Sequence, residues 1–181
     1  GYGERNTSRM AQAPKKSNRG QKLNTSPIHK CAENLKLIIR NPKNLNSEEE
    51  LAFIKKLNPD IVIVVAYGQL ISEEFLNIVK NGFINIHASL LPKWRGAAPI
   101  QRSIMNSDNE TGISIMKISK ELDAGPVMKK IKIKIDETTT ADDLSKNLSK
   151  ISSDAIIQIL DEIFDKKSKF IEQNHNFATY A

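Results

Sequence analysis

Six consecutive apolar residues, Ile61-Val62-Ile63-Val64-Val65-Ala66, limit what this chain can become, because five of them are β-branched. A run without alternation predicts a strand covered on both faces, as in a parallel sheet. Tyr67-Gly68 turns, and Ser72-Glu73-Glu74 opens a helix whose apolar residues are Phe75, Leu76, Ile78 and Val79. Asn81-Gly82 ends it, and Phe83 to His87 reads as a second strand. Strand, helix, strand at this spacing is a βαβ unit with a right-handed crossover. Sheets of this kind hold ligands beyond the carboxyl ends of their strands, which puts Tyr67-Gly68 and the segment 85–92 at the pocket.

The flanking sequence extends the pattern. Ser47 with Glu50 three residues on is a capping box, and Leu51, Ile54 and Leu57 follow at helical spacing until Asn58-Pro59-Asp60. A third helix is predicted over 97–105, then strands over 112–118 and 127–135. The second of these alternates Lys130-Ile131-Lys132-Ile133-Lys134-Ile135, with lysine on one face to block edge-to-edge pairing. Thr140 with Asp143 caps a long last helix with an apolar stripe of Leu144, Leu148, Ile151, Ala155, Ile159 and Ile163. Residues 1–27 lack periodicity and read as loop or disorder. The class is α/β: a partial doubly wound, Rossmann-like, mostly parallel sheet with helices on both faces.

A chain of 181 residues, 39% hydrophobic and 27% charged, suits one domain and excludes wholesale disorder. One cysteine, Cys31, allows neither an intrachain disulfide nor a thiolate zinc site, and it reads as a small packing residue; no metal is expected. The longest apolar run, seven residues from Ile61 to Tyr67, spans no bilayer, and no secretory signal is visible. The expectation is a cytoplasmic protein. Residues 1–43 carry a net charge of +8, whereas the rest carry −2, so the basicity belongs to the first quarter. That quarter reads either as a solvated arm or as a polyanion contact such as RNA.

Asn85 and His87, two apart on one strand, point to the same face near its carboxyl end. Asp123 lies in Glu121-Leu122-Asp123-Ala124-Gly125-Pro126, a turn between two strands. An amide, an imidazole and a carboxylate on one pocket suit acyl-group transfer. The amide and a protonated imidazole stabilise an oxyanion, and the carboxylate orients the ring and favours its protonated form. With no Ser or Cys nucleophile in the set, direct transfer to an amine is the natural chemistry. The residues by themselves also fit a hydrogen-bonded structural pair.

The segment Asn85-Ile86-His87-Ala88-Ser89-Leu90-Leu91-Pro92-Lys93-Trp94-Arg95-Gly96-Ala97-Ala98-Pro99-Ile100-Gln101 resembles the hallmark of the folate-dependent formyltransferases. Within them it is most similar to the branch that acts on methionyl initiator tRNA. Leu122-Asp123-Ala124-Gly125-Pro126-Val127 resembles the family's aspartate loop. Arg19-Gly20-Gln21-Lys22-Leu23, Ser26-Pro27-Ile28, Val65-Ala66-Tyr67-Gly68-Gln69 and Ala178-Thr179-Tyr180-Ala181 agree with the same family. The resemblance implies that Asn85, His87 and Asp123 are the catalytic trio and that Ser89, Leu90, Leu91 and Pro92 line the site of the co-substrate 10-formyltetrahydrofolate. It also implies formyl transfer to the α-amino group of methionine on initiator tRNA. Lys15, Lys16, Arg19 and Lys22 would form a loop that approaches the tRNA. Trp94 and Arg95, in an exposed-looking loop, suit stacking or phosphate contact, and Trp94 equally suits packing at a helix entry.

Relatives that formylate an amino sugar or a ribonucleotide amine share the trio, so the trio does not separate them; an inactive RNA-binding remnant is the reading from another class. Residues 1–13 do not resemble the family's opening strand, turn and helix, and a start without Met reads as a piece of a longer gene. The expected organisation is residues 1–13 unassigned, 14–176 a catalytic domain lacking its first βα unit, and 177–181 the start of a linker to a further domain. The parent is expected to be a monomer. The 181 residues by themselves are expected to melt without cooperativity and to transfer no formyl group, because a missing central strand leaves the run 61–66 without a neighbour.

Overall fold

The computed structural model describes residues 8–10, 15–17, 22–24 and 26–181. The chain divides into two units, one formed by residues 1–59 with 69–71 and the other by 60–68 with 72–181.

The first unit contains β1 (Ser8–Met10), β2 (Lys15–Ser17), β3 (Lys22–Asn24), α1 (Pro27–Asn34), β4 (Ile38–Arg40) and α2 (Glu48–Leu57). β1 runs parallel to β4 with Arg9 opposite Ile39, and β2 pairs antiparallel with β3. Three short strands thus occupy parts of a stretch read as loop or disorder, β1 within residues read as unassigned. Strands of three residues are made by backbone pairing and show no periodicity. α1 starts where the Ser26 hydroxyl accepts the His29 N–H at 3.3 Å, with Pro27 in the first turn. That serine-proline start is a helix signal that periodicity passes over. Cys31 is exposed, and its neighbour Ala32 takes the buried position on α1. α2 follows its predicted cap: Ser47 accepts the Glu50 N–H at 3.4 Å, and Asn58 ends the helix at φ 47°. Glu50 is buried and paired with Arg40 at 2.8 Å.

The second unit contains β5 (Val62–Val64), α3 (Glu73–Ile78), β6 (Phe83–His87), α4 (Pro99–Met105), β7 (Glu110–Lys117), β8 (Val127–Lys134) and α5 (Ala141–Phe164). Its sheet has the order β5-β6-β7-β8. β5 and β6 are parallel across α3, which is the predicted βαβ unit; β6, β7 and β8 then pair antiparallel. β5 is shorter than the apolar run, its residues are half-buried, and Val65 is 56% exposed. Among the described residues it pairs with β6, and its half-buried side chains show that coverage of both faces is incomplete.

One sheet face carries Ile84, Ile86, Ile113, Ile115 and Ile135, and α5 packs Leu144, Leu148, Ala155, Ile159 and Ile163 against it. Ile100 and Ile104 of α4 and Ile131 and Ile133 of β8 join the same cluster. Full burial of one such side chain stabilises the fold by roughly 1.5–3 kcal/mol. The Thr140 hydroxyl accepts the Asp143 N–H at 3.2 Å and fixes where α5 begins. Beyond α5 the chain returns across the sheet end: Val127 and Ile171 exchange backbone hydrogen bonds of 2.8 and 2.9 Å, and Tyr180 bridges Arg95. Among the described residues no helix is long and apolar enough to cross a membrane.

These contacts grade the helix α5. Ile159→Ala, at a fully buried position, is expected to destabilise the protein by about 2–5 kcal/mol. Thr140→Ala should cost about 1 kcal/mol, and Ile157→Ala, on the exposed face, less than about 0.5 kcal/mol. Urea denaturation of the three variants checks the order.

Candidate active site

Because the odd-numbered neighbours of Ile84 and Ile86 turn away from α5, Asn85 and His87 face the other side of the sheet, beside Met116 and Ser114 of β7. Asp123 reaches them from the turn between β7 and β8. The Asn85 amide donates weakly to Asp123 Oδ1 at 3.4 Å, and His87 Nδ1 lies 3.6 Å from Asp123 Oδ2. The side chains are nearly enclosed, with exposures of 6% for His87 and 14% for Asp123. The predicted convergence of Asn85, His87 and Asp123 is therefore present within one unit of the fold.

Two backbone groups of one short segment hold this set. His87 Nε2 lies 2.7 Å from the Trp94 carbonyl. A carbonyl only accepts, so Nε2 carries a proton and Nδ1 is the nitrogen turned toward the carboxylate. The Gly96 N–H donates to Asp123 Oδ2 at 2.9 Å. Trp94 has φ 59° and Gly96 φ 109°, so the segment reverses in left-handed backbone that a tryptophan rarely adopts. Trp94 is anchored against that cost: its indole N–H donates to Asp108 at 2.8 Å, and its backbone N–H donates to the Thr179 hydroxyl at 2.8 Å. Lys93 pairs with the same Asp108 at 2.6 Å. Burial opposes ionisation of Asp108, but the hydrogen bonds from Lys93, Trp94 and Asn106 outweigh it and hold the carboxyl below its ordinary range.

The loop before this segment is pinned to β7. Ser114 accepts the Leu91 N–H at 2.9 Å and donates to the Ser89 carbonyl at 2.7 Å. Ser89 and Leu91 are fully buried, and the Ser89 hydroxyl donates to the Lys93 carbonyl. Leu90 and Pro92 remain half-exposed. Leu90 lies over Gly112, where a Cβ would come within 2.9 Å of it. Of the four residues predicted to line a co-substrate site, Leu90 and Pro92 keep part of their apolar surface exposed, whereas Ser89 and Leu91 are buried within the loop.

Arg95 corrects an expectation. Predicted as an exposed contact to tRNA, it is 2% exposed, because the left-handed turn at Trp94 sends the next side chain inward. Its guanidinium donates to Gln173 Oε1 at 3.2 and 2.8 Å and lies 3.5 Å from His175 Nδ1. Of the predicted basic loop, Lys15 and Lys16 lie on β2 and Lys22 on β3, and Arg19 lies outside the described residues. Sequence reasoning missed Gly96, Asp108, Ser114 and Gln173. Only Gly96, inside the hallmark segment, had a visible signal; the other three act through contacts 14 to 78 residues away.

A βαβ core that brings an amide, an imidazole and a carboxylate together, with apolar loop surface beside them, is equipped for acyl-group transfer to an amine. The chain belongs to the formyl transferase family, whose profile matches residues 6–160. It is 56% identical to the methionyl-tRNA formyltransferase of Pelagibacter ubique over 94% of its length and 55% of the relative's. Identity to the enzyme of that name from Thermotoga neapolitana is 40%, over 95% of this chain and 55% of the other. The chain spans about half the length of the curated relatives it matches. Among solved structures, the formyltransferase PseJ from Anoxybacillus kamchatkensis, in complex with a formamido-sugar nucleotide and tetrahydrofolate, aligns with TM-score 0.69 and 20% identity, covering 95% of this chain and 84% of that one. Phosphoribosylglycinamide formyltransferase from Streptococcus pneumoniae aligns with TM-score 0.69 and 17% identity, covering 76% and 80%. These two share the fold.

The Asp108 anchor has a pH signature. A carboxyl whose folded value is depressed contributes stability above its unfolded value and loses it as pH falls through the folded one. Below about pH 4 the urea midpoint of the wild type should therefore fall more steeply than that of Asp108→Asn. Parallel midpoints over that range would show that the anchor contributes nothing to stability.

Proposed function

We propose that the full-length protein transfers the formyl group of 10-formyltetrahydrofolate to the α-amino group of methionine esterified to initiator tRNA. One observation carries the choice of acceptor. Identity is 56%, 44% and 40% to three methionyl-tRNA formyltransferases, whereas structures named for sugar or ribonucleotide acceptors share the fold at 17–23%. The fold is common to all these acceptors and does not select among them.

The site's own groups support the chemistry. The amine attacks the formyl carbon, and the carbonyl oxygen gathers negative charge. The Asn85 amide, only weakly engaged with Asp123, is positioned to donate to that oxygen. His87 has Nε2–H committed to Trp94, so in the imidazolium form it is the Nδ1–H, beside Asp123, that donates to the developing charge. Asp123 accepts the proton lost by the amine, directly or through a water. That proton then goes to N10 of the folate as the bond between N10 and the formyl carbon breaks, which leaves the N-formylated amine and tetrahydrofolate. Leu90 and Pro92 give the folate ring system an apolar surface. Remote tRNA contacts position the amine, and Lys15, Lys16, Arg19 and Lys22 are suited to phosphates. The reading implies a cytoplasmic enzyme.

The full-length enzyme is expected to formylate methionyl initiator tRNA and to leave free methionine unmodified in a radiolabelled-formyl assay. Asn85→Ala should lower kcat on the order of 10²–10³, the usual loss for one oxyanion donor. Asp123→Asn should be at least as severe while binding of the folate persists. Neutralising Lys15, Lys16, Arg19 and Lys22 together should flatten the salt dependence of tRNA binding; an unchanged slope removes these residues from the interface. Equal turnover of free methionine would refute the assignment of the acceptor.

A further inference from the structure

We propose that Gln173, outside the trio and its loops, is a positioning residue that holds Asp123 in its working geometry; the inference rests on the reaction proposed above. Gln173 is buried, and its Nε2 donates to the carbonyls of Asp123 and Gly125, both at 2.8 Å. Its Oε1 accepts two hydrogen bonds from the buried Arg95 guanidinium. The choice of an amide is informative. A buried guanidinium is better satisfied by a carboxylate, which accepts charge-assisted bonds. A carboxylate here would set an oxygen against two carbonyls, because only an amide accepts on one side and donates twice on the other. The position is therefore chemically fitted to the Asp123 loop and not to Arg95 alone.

That loop needs holding. Asp123 has φ 47°, a left-handed conformation that a non-glycine residue adopts at a cost. Gly125 lies so close to β7 that a Cβ there would fall 2.0 Å from the Lys117 carbonyl. Gln173 binds the carbonyls on both sides of Ala124 and so fixes the peptide planes that aim the Asp123 carboxylate at His87. It is carried into place by the backbone pair between Ile171 and Val127. Arg95 closes a ring: its flanking residues Trp94 and Gly96 bond His87 and Asp123, and its side chain bonds the residue that holds the Asp123 backbone.

The test uses the full-length enzyme. Gln173→Glu keeps an acceptor for Arg95 and removes both donors to the loop. It should lower kcat about 10²-fold, the scale of an ångström-sized misplacement, with KM for the formyl donor near wild type. Gln173→Leu removes both sets of bonds and should lose as much kcat. A retained kcat in Gln173→Glu beside a loss in Gln173→Leu would mean that Gln173 serves only Arg95, and would overturn the proposal. A double-mutant cycle adds a measurement that a purely structural role would not move. In an Asp123→Asn background Gln173→Glu should have little further effect on kcat, and multiplicative losses would overturn the inference. If Gln173→Glu does not fold, Gln173→Asn, which keeps the amide and shortens its reach, decides in its place; full wild-type kcat there overturns it. Hydrogen exchange is independent of the acceptor. Backbone amides of 121–126 should exchange faster in the variant while those of α5 stay unchanged, and an unchanged loop would refute the idea. Wild-type turnover in the same assay tests the reaction itself, so the two failures are distinguishable.

Discussion

The packing of α5 on the isoleucine face of the β6–β7–β8 sheet decides where the chemistry points. Ile84 and Ile86 are committed to that interface, and the period of a strand then leaves Asn85 and His87 no direction but the opposite face. A register slip of one residue would bury the amide and the imidazole among isoleucines and bring two isoleucines to the site. Apolar burial thus specifies the orientation of a polar site it does not touch. The same face-switching places Ser114 beside His87, where its hydroxyl pins the loop 89–91.

Around that platform the geometry is set by backbone groups more than by side chains. The Trp94 carbonyl holds the Nε2–H of His87 and with it the ring's orientation, and the Gly96 N–H holds one oxygen of Asp123. Both depend on a left-handed reversal at Trp94 held from two distant places, Asp108 and Thr179. Such strain persists only where the surroundings over-determine it. Here the surroundings include the chain's last residues, since the Arg95 N–H donates to the Thr179 carbonyl and Arg95's own carbonyl accepts from Ala181. Gly96 tolerates the strap because a Cβ would fall 2.7 Å from the Ala181 carbonyl oxygen.

The sequence was most legible where a local rule acts alone. The capping residues Ser47 and Thr140, the strand 83–87 and the α5 stripe all stand close to where periodicity and capping place them, with Ile151 only partly buried. Legibility failed where pairing partners decide the outcome. The short strands of the first unit have no pattern of their own, and the apolar run at 61–66 reads as doubly covered although the β5 side chains are only half-buried. Arg95 was misread for the same reason. Its charge suggests solvent, and only the turn at Trp94 and the acceptor on Gln173, 78 residues on, make its burial tolerable.

By itself the sequence determined the α/β class, the βαβ unit, the same-face placement of Asn85 and His87 and, through the hallmark segment, the family. These follow from periodicities and motifs contained in a few consecutive residues. Tertiary structure alone decided that Asp123 meets His87 Nδ1, that Nε2 is spent on Trp94, that Arg95 is buried and that Gln173 grips the aspartate loop. The physical reason is that hydrogen-bond partners are chosen by distance in space, and between residues dozens of positions apart that distance is fixed only when the sheet, α5 and the returning C-terminal strap have packed.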